Sequence, residues 1–444
     1  MLRSKHFPLV IILLVYLLLG TLFAWYTPDW QAPDEPAHYN YVRQLAEGHL
    51  PVMAQGDYDE AYKNEAVSSG FAPQYDVSVI TYEDWQPPLY YLLLTPVFWL
   101  TGGSLLALRL VSVLLGAGVV ALAYGVGRRC APGRRLFAGE VWLGVGTAVF
   151  VAFLPQHLAI LASVNNDALA ELLIAAILFL LAGIGDWRLE IGKRPALLLG
   201  VLLGLGFLTK GTVYAVTAVI GISLLWHYWG RWHELLRAGL WVFVPAFLLG
   251  ALWWGRNVAL YGGLDVLGKA AHDAVVVGQP RTAELVAQVG LWGTIRQLSL
   301  TTFHSFWGQF GWMALPMLNP HWLYPLLGLL SGTAVLGLLV IVWQSLRNQT
   351  LMQKSSRPAW LMFLLFLLTL GVHVVYNLTF IQHQGRYLFP ALIPIGLGMT
   401  VGFGVWVRPF TTRWPIFQLW PWGLACALAG LDVWALFRVI VPNL

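Results

Sequence analysis

The segment Pro33-Asp34-Glu35-Pro36-Ala37-His38-Tyr39 packs two carboxylates and an imidazole into five consecutive positions, 34 to 38. It begins about eight residues after an apolar run that ends near Tyr26. Pro36 suits the first turn of a helix, with Asp34 or Glu35 in the N-cap region. Two readings follow. A carboxylate there caps a surface-lying helix, or it is held as a general base close to a membrane-borne substrate. Further polar clusters fall on the same expected side of the chain. They are Gln86-Pro87-Pro88-Leu89-Tyr90-Tyr91, Asn165-Asn166-Asp167, Leu208-Thr209-Lys210-Gly211, Arg256-Asn257 and Gln384-Gly385-Arg386-Tyr387. Glu171 lies one turn beyond Asp167, on the same helix face. Taken singly, each cation reads as a snorkelling anchor. Cations and carboxylates converging on one face read instead as a site for an anionic, lipid-linked ligand. A polyprenyl-phosphate sugar meets that description. Its tail needs a lipid-accessible groove, its phosphate needs Lys or Arg as the leaving group gains charge, and the acceptor hydroxyl needs a carboxylate base.

Such clusters require a membrane-embedded scaffold, and the composition supplies one. Of 444 residues, 58% are hydrophobic and 11% charged. A soluble domain carries about 45–50% apolar and about 25% charged residues, and disorder needs low hydrophobicity, so both classes are excluded. The formal charge of +5 forms no basic face, and no nucleic-acid partner is expected. Cys130 and Cys426 are too few and too separate in context for a disulfide framework or a metal site.

Apolar runs lie at 7–26, 105–127, 138–162, 168–185, 195–209, 212–229, 238–255, 322–343, 359–380, 389–407 and 416–440. The fold class is therefore all-α, a polytopic helical membrane protein of about eleven crossings. The first run reads as a retained signal anchor. Residues 89–100 are apolar but too short to cross, and Pro87, Pro88 and Pro96 interrupt their neighbourhood, so they lie along the interface. With a cytoplasmic N-terminus, the inside loops then hold Arg3, Lys5, Arg128, Arg129, Arg134, Arg135, Arg188, Lys193, Arg194, Arg231, Arg237, Arg347, Lys354, Arg357, Arg408 and Arg413, which is 16 of the 26 basic residues. A crossing at 89–100 would reverse every later loop. The chain reads as one transmembrane domain, 1–444. Its first outer loop, 27–104, carries interfacial helices, with amphipathic character around Ala37–Gly48, and 256–320 forms a second long outer loop.

PDEPAHYNYVRQLAEGHLP, QPPLYYLLL, NNDALAELL, LGLGFLTKG and QGRYLFPALIP recur, in that order, in multispan glycosyltransferases of the C superfamily. The chain resembles that superfamily, which includes the protein O-mannosyltransferase and aminoarabinose-transferase relatives, over roughly residues 1–400. The PDE-x-x-H start and Ser305–Met313 (SFWGQFGWM) look closest to a less characterised bacterial membrane branch. The resemblance implies an inverting transfer from a polyprenyl-phosphate sugar to an acceptor hydroxyl at the outer face of a bacterial plasma membrane. It implies Asp34 as the catalytic acid residue with Glu35 as its partner. It further implies donor-phosphate binding by Lys210, Arg386 and Arg256, and substrate contacts from His38, Gln86, Tyr90, Asn166, Asp167 and Tyr387. Gln86 stands where relatives often carry His before Pro-Pro; an amide takes no proton, which removes an acid–base role there. The resemblance implies a lipid-linked rather than a nucleotide-sugar donor, so no cofactor is expected, with a divalent metal left open. Expected partners are the lipid-linked sugar, membrane lipids and an acceptor that is protein, lipid or polysaccharide. Two alternatives stay open: a transporter or flippase of a lipid-linked sugar, which would show inverted repeats that are not evident here, and a non-catalytic membrane scaffold.

Overall fold

A computed structural model describes residues 6–131, 140–183, 192–347, 357–411 and 413–444. The basic residues Arg3, Lys5, Arg134, Arg135, Arg188 and Lys354 lie outside the described residues. The chain is all-α and multi-pass. The first crossing is α1 (Phe7–Tyr26). It leads into a segment holding α2 (Glu35–Ala46), α3 (Glu60–Ser68) and α4 (Leu89–Thr101). Next come α5 (Leu105–Arg129), α6 (Glu140–Ala152), α7 (Pro155–Leu161), α8 (Asp167–Gly183), α9 (Lys193–Phe207), α10 (Tyr214–His227) and α11 (Trp232–Tyr261). After α11 the chain forms α12 (Lys269–Val275), α13 (Thr282–Trp307) and a two-residue hairpin, β1 (Gln309–Phe310) with β2 (Leu315–Pro316). Helices α14 (Leu323–Arg347), α15 (Arg357–Asn377), α16 (Leu392–Thr411) and α17 (Trp420–Trp434) complete the bundle.

Among the described residues, seven helices are long and apolar enough to cross a membrane, or eight if the α6–α7 pair, bent by 66°, is one span. Every apolar run of the sequence became a helix. The expected eleven is not reached by length because α8, α9 and α10 have only 17, 15 and 14 residues. Among the described residues, each of the three has one end where Asn165-Asn166 or Thr209-Lys210 leaves helical geometry. Pro155 opens α7 in the first turn, where its missing N–H costs nothing, and so fixes the bend. Helix α4 spans 13 residues, about 20 Å at 1.5 Å per residue, short of the roughly 30 Å hydrocarbon core. It ends on Gly102 in the left-handed region. By length it falls short of a span.

The segment 256–320 differs from a loop. Helix α11 runs on to Tyr261, and α13 occupies 26 residues, kinked where Gly290 takes φ 73°. Small residues let other helices touch backbone to backbone. A Cβ on Gly337 would fall 2.1 Å from the Gly402 carbonyl oxygen, and one on Gly402 would fall 2.1 Å from that of Ala334, so α14 and α16 meet along glycines. Contacts between chain-distant polar segments then bring the site together at one end.

Candidate active site

Asp34 occupies the N-cap position of α2 but makes no capping bond. Its backbone is in the left-handed region, φ 67°, which Asp tolerates better than most residues. That conformation turns the carboxylate away from the helix: Oδ1 accepts from the Tyr82 hydroxyl at 2.8 Å, and Oδ2 accepts from the Arg386 guanidinium. The cap reading therefore fails for this side chain. Burial alone would raise the Asp34 carboxyl, but the Arg386 charge and the bonds from Arg386 and Tyr82 outweigh it and hold the group below the usual carboxylate range. Asp34 keeps 21% exposure and Arg386 7%, so the pair faces open space on one side only.

Arg386 is delivered by a 3₁₀ turn, Gly385–Ala391, between α15 and α16. Gly385 is required there. A Cβ would lie 2.3 Å from the Phe306 nitrogen and 2.4 Å from the Thr302 oxygen of α13, and the Gly385 N–H donates to Ser305 Oγ at 2.7 Å. Lys210 sits in extended backbone between α9 and α10 and pairs at 2.7 Å with Asp167, the first residue of α8. A backbone bond from Leu89 N–H to the Leu208 oxygen, 2.9 Å, ties the start of α4 to this break. His38 lies among these charges and bonds Tyr91 through Nδ1 at 2.8 Å. Burial, then Lys210, push its imidazole down to about 3, with Asp34 and Asp167 opposing, so His38 is neutral. Asn166 Nδ2 reaches Gln86 Oε1 at 3.2 Å and the Tyr91 hydroxyl at 3.3 Å. The Tyr41 ring stacks on Tyr91 at 3.8 Å and donates its hydroxyl to the Gln86 carbonyl.

Asp34, His38, Gln86, Asn166, Asp167, Lys210 and Arg386 thus meet, although they come from five separate segments. Tyr387 borders the group through Arg386, its ring 5.6 Å from that guanidinium, and its hydroxyl donates to Gln382 Oε1 at 3.3 Å. Three expected residues stand elsewhere. Glu35, expected beside Asp34 in catalysis, is fully buried and points the other way. Arg109 grips it with bonds of 2.8 and 2.6 Å, and the Val164 N–H adds a third at 3.1 Å. The same guanidinium binds the carbonyls of Ala24, Thr27 and Pro28. This pair clamps the α1–α2 turn to α5 and to the turn before α8. Tyr90 is also behind the site, on Ser112 Oγ and the Asn165 N–H. Arg256 binds the Pro51 carbonyl and covers Trp253, fastening the chain after α2 rather than joining the cluster.

Tyr82, Glu83, Tyr91 and Arg109 were not singled out from sequence. Arg109 had a signal, a lone charge in LLALRLVSVLL, since ionisable residues in apolar spans are rare and paired. Removing one partner of a buried pair leaves the other charge unpaired, so Glu35→Gln should cost about 3–5 kcal/mol of stability. Thermal unfolding of purified Glu35→Gln in detergent checks this, and an unchanged midpoint would remove the clamp role.

Beside the cluster lies a groove of about 890 Å³ between the α12–α13 segment and the C-terminal half of α15. Leu367, Val372, Val375 and Tyr376 of α15 line it together with Lys269 and Arg281 of the α12–α13 segment. Lys269 pairs with Asp273 at 2.6 Å, and Arg281 covers Phe380 at 5.1 Å. The groove excludes the Asp34 group but adjoins it, because the Tyr376 ring is 6.3 Å from that of Tyr387. Among the described residues, no set of three or more His, Cys, Asp or Glu side chains is arranged to hold a metal ion.

No protein-family model and no curated protein sequence matches the chain. Among solved structures it is similar to the Archaeoglobus fulgidus oligosaccharyltransferase, crystallised with Zn and sulfate, at 12% identity and TM-score 0.49. That alignment covers 96% of this chain and 52% of the archaeal one, so the chain spans about half its length. It is similar to ArnT from Cupriavidus metallidurans bound to undecaprenyl phosphate, at 13% identity and TM-score 0.49 over 99% of this chain and 74% of that one. The apo state of the same ArnT aligns at 14% identity and TM-score 0.47, with the same coverage. At such distances the chemistry has to be read from the side chains themselves.

Proposed function

We propose that the chain is an inverting glycosyltransferase that moves a sugar from a polyprenyl-phosphate donor to an acceptor hydroxyl at the outer membrane face. One observation carries the reading. Two carboxylate–cation pairs, Asp34 with Arg386 and Asp167 with Lys210, meet at one end of an apolar bundle, beside an apolar groove with cations in its lining. The pairing fits a phosphate site that is neutral when empty. The donor phosphate draws Arg386 and Lys210 to itself, and Asp34, losing its counter-ion, becomes a better base. The acceptor O–H then gives its proton to Asp34 while its oxygen attacks the anomeric carbon. On the opposite face the bond to the phosphate oxygen breaks, and the two cations take up the growing charge. The groove along α15 suits the isoprenoid tail, with Lys269 and Arg281 at headgroup level.

The outer-face assignment rests on the basic-loop asymmetry together with the site's position. All clustered residues lie at the end opposite Arg128, Arg129 and Arg231. A transporter would place its charges near the middle of the spans, at a repeat interface; these pairs lie at span ends. The test is release of polyprenyl phosphate by purified protein from a panel of lipid-linked sugars in the presence of hydroxyl acceptors. No release from any donor would overturn the reading.

A further inference from the structure

We propose that Glu83 is the second working carboxylate of this site, the group that finally receives the proton given up by the acceptor hydroxyl. The proposal rests on the transferase reading above and deepens it. Asp34 is badly placed to keep a proton through the cycle: in the empty site both of its oxygens are engaged, by Tyr82 and by Arg386, so the proton has to move on before Arg386 returns. Glu83 follows Tyr82 directly in the chain. Its Oε2 is buried and has no hydrogen-bond partner, a costly arrangement for a carboxylate that only supports structure. The Gln86 side chain meets Glu83, and the Gln86 oxygen is taken by Asn166 at 3.2 Å, which leaves the amide NH₂ for the carboxylate. Gln86, which cannot itself take a proton, thus holds a group that can.

The surroundings suit this role. Burial first, then the negative charge of Asp34, push the Glu83 carboxyl up to about 7, while Lys210, the Gln86 bond and Arg386 pull it down. Its neighbour Asp84, bonded by Gln44 at 3.0 Å, is pushed up to about 8 by burial and is mostly protonated at neutral pH. Tyr82, Tyr91, Tyr376 and Tyr387 also lie around this space, and burial keeps the Tyr82 and Tyr91 hydroxyls neutral. The two carboxyls, Asp34 low and Glu83 near neutrality, are pushed apart as acid–base pairs in enzymes are. The acceptor O–H bond breaks and its electron pair forms the new bond to the anomeric carbon. The bond from that carbon to the phosphate oxygen breaks, and its pair leaves with the polyprenyl phosphate. The proton passes to Asp34, then to Glu83, and reaches water when the products depart. About 0.5–1 proton is released per transfer at neutral pH, according to the protonation of the departing phosphate monoester.

The experiment is the pH profile of transfer by the full-length protein, with a polyprenyl-phosphate sugar as donor, alongside an infrared titration of its carboxyl groups. Wild-type kcat should rise with pH through about 7 and level off above it, because Glu83 works ionised. Glu83→Gln should lose that limb and leave a low, pH-independent rate. Glu83→Asp should keep the limb at a shifted pH, and Asp84→Asn should keep it unshifted. The infrared carboxyl band titrating near 7 should vanish in Glu83→Gln. An active Glu83→Gln protein that keeps the limb, or an active wild type without that band, overturns the role of Glu83. A wild type that shows the band but transfers from no donor overturns the transferase reading instead.

Discussion

Asp34→Asn should leave donor binding intact and lower turnover by about 10²–10⁴-fold. The structure makes this substitution a clean test. Asparagine accepts the left-handed backbone that Asp34 adopts, and no helix cap is lost because Asp34 caps nothing. The amide oxygen still accepts from Tyr82, so the turn keeps its tie to the 77–88 segment. What disappears is the charge opposite Arg386 and the ability to take a proton. Freed of its counter-ion, Arg386 is more available to phosphate, so donor affinity should be equal or tighter while kcat falls. Measuring the donor dissociation constant and kcat separately resolves the two. Near-normal turnover in a folded protein would take Asp34 out of the mechanism.

The second large effect is expected at the cations. Arg386→Gln or Lys210→Met should slow transfer by about 10²–10³-fold, the usual loss when one preorganised donor to a developing anion is removed. Arg386→Lys should fall between, because it keeps a charge but loses the planar fork. Each single change also frees a carboxylate, Asp34 or Asp167, that would then repel the donor phosphate. Arg386→Gln with Asp34→Asn should therefore recover donor binding without recovering turnover. Equilibrium binding of the donor to the three variants checks this; unchanged affinity in both single variants would end the phosphate-binding role.

Much of this arrangement was legible in the sequence, and the reasons are physical. Apolar runs must become helices in lipid, where unpaired backbone groups are too costly, so every run was found. Helix α4 was separable from a span by its 13 residues, and α2 by its alternation of apolar and polar faces. Polar clusters at one set of span ends were forced together by the alternation of crossings, which is why Asp34, Asp167, Lys210 and Arg386 met as expected. The roles of Glu35 and Asp34 could not be told apart in this way. They are neighbours, and only the φ of 67° at Asp34 and an arginine 74 positions after Glu35 send them to opposite sides. Tyr82 and Glu83 left no trace because their importance comes from a loop packed over the site. Helices α12 and α13 were hidden because they lie outside the long apolar runs, and α13 carries no continuous apolar pattern.

The paired cations have a consequence for what limits the cycle. A sugar-linked polyprenyl phosphate is a diester with one negative charge, whereas the departing polyprenyl phosphate is a monoester carrying about −1.5 to −2 at neutral pH. On the transferase reading, Arg386 and Lys210 would therefore attract the product more strongly than the donor, and the apolar groove would hold the same tail in both. Departure requires Asp34 and Asp167 to reclaim their partners. The first turnover should accordingly be fast and later ones slow, a burst in rapid-mixing experiments whose amplitude counts active sites. Added polyprenyl phosphate should compete with the donor. In a cell envelope, the pace would then be set by whatever clears the spent carrier from the membrane.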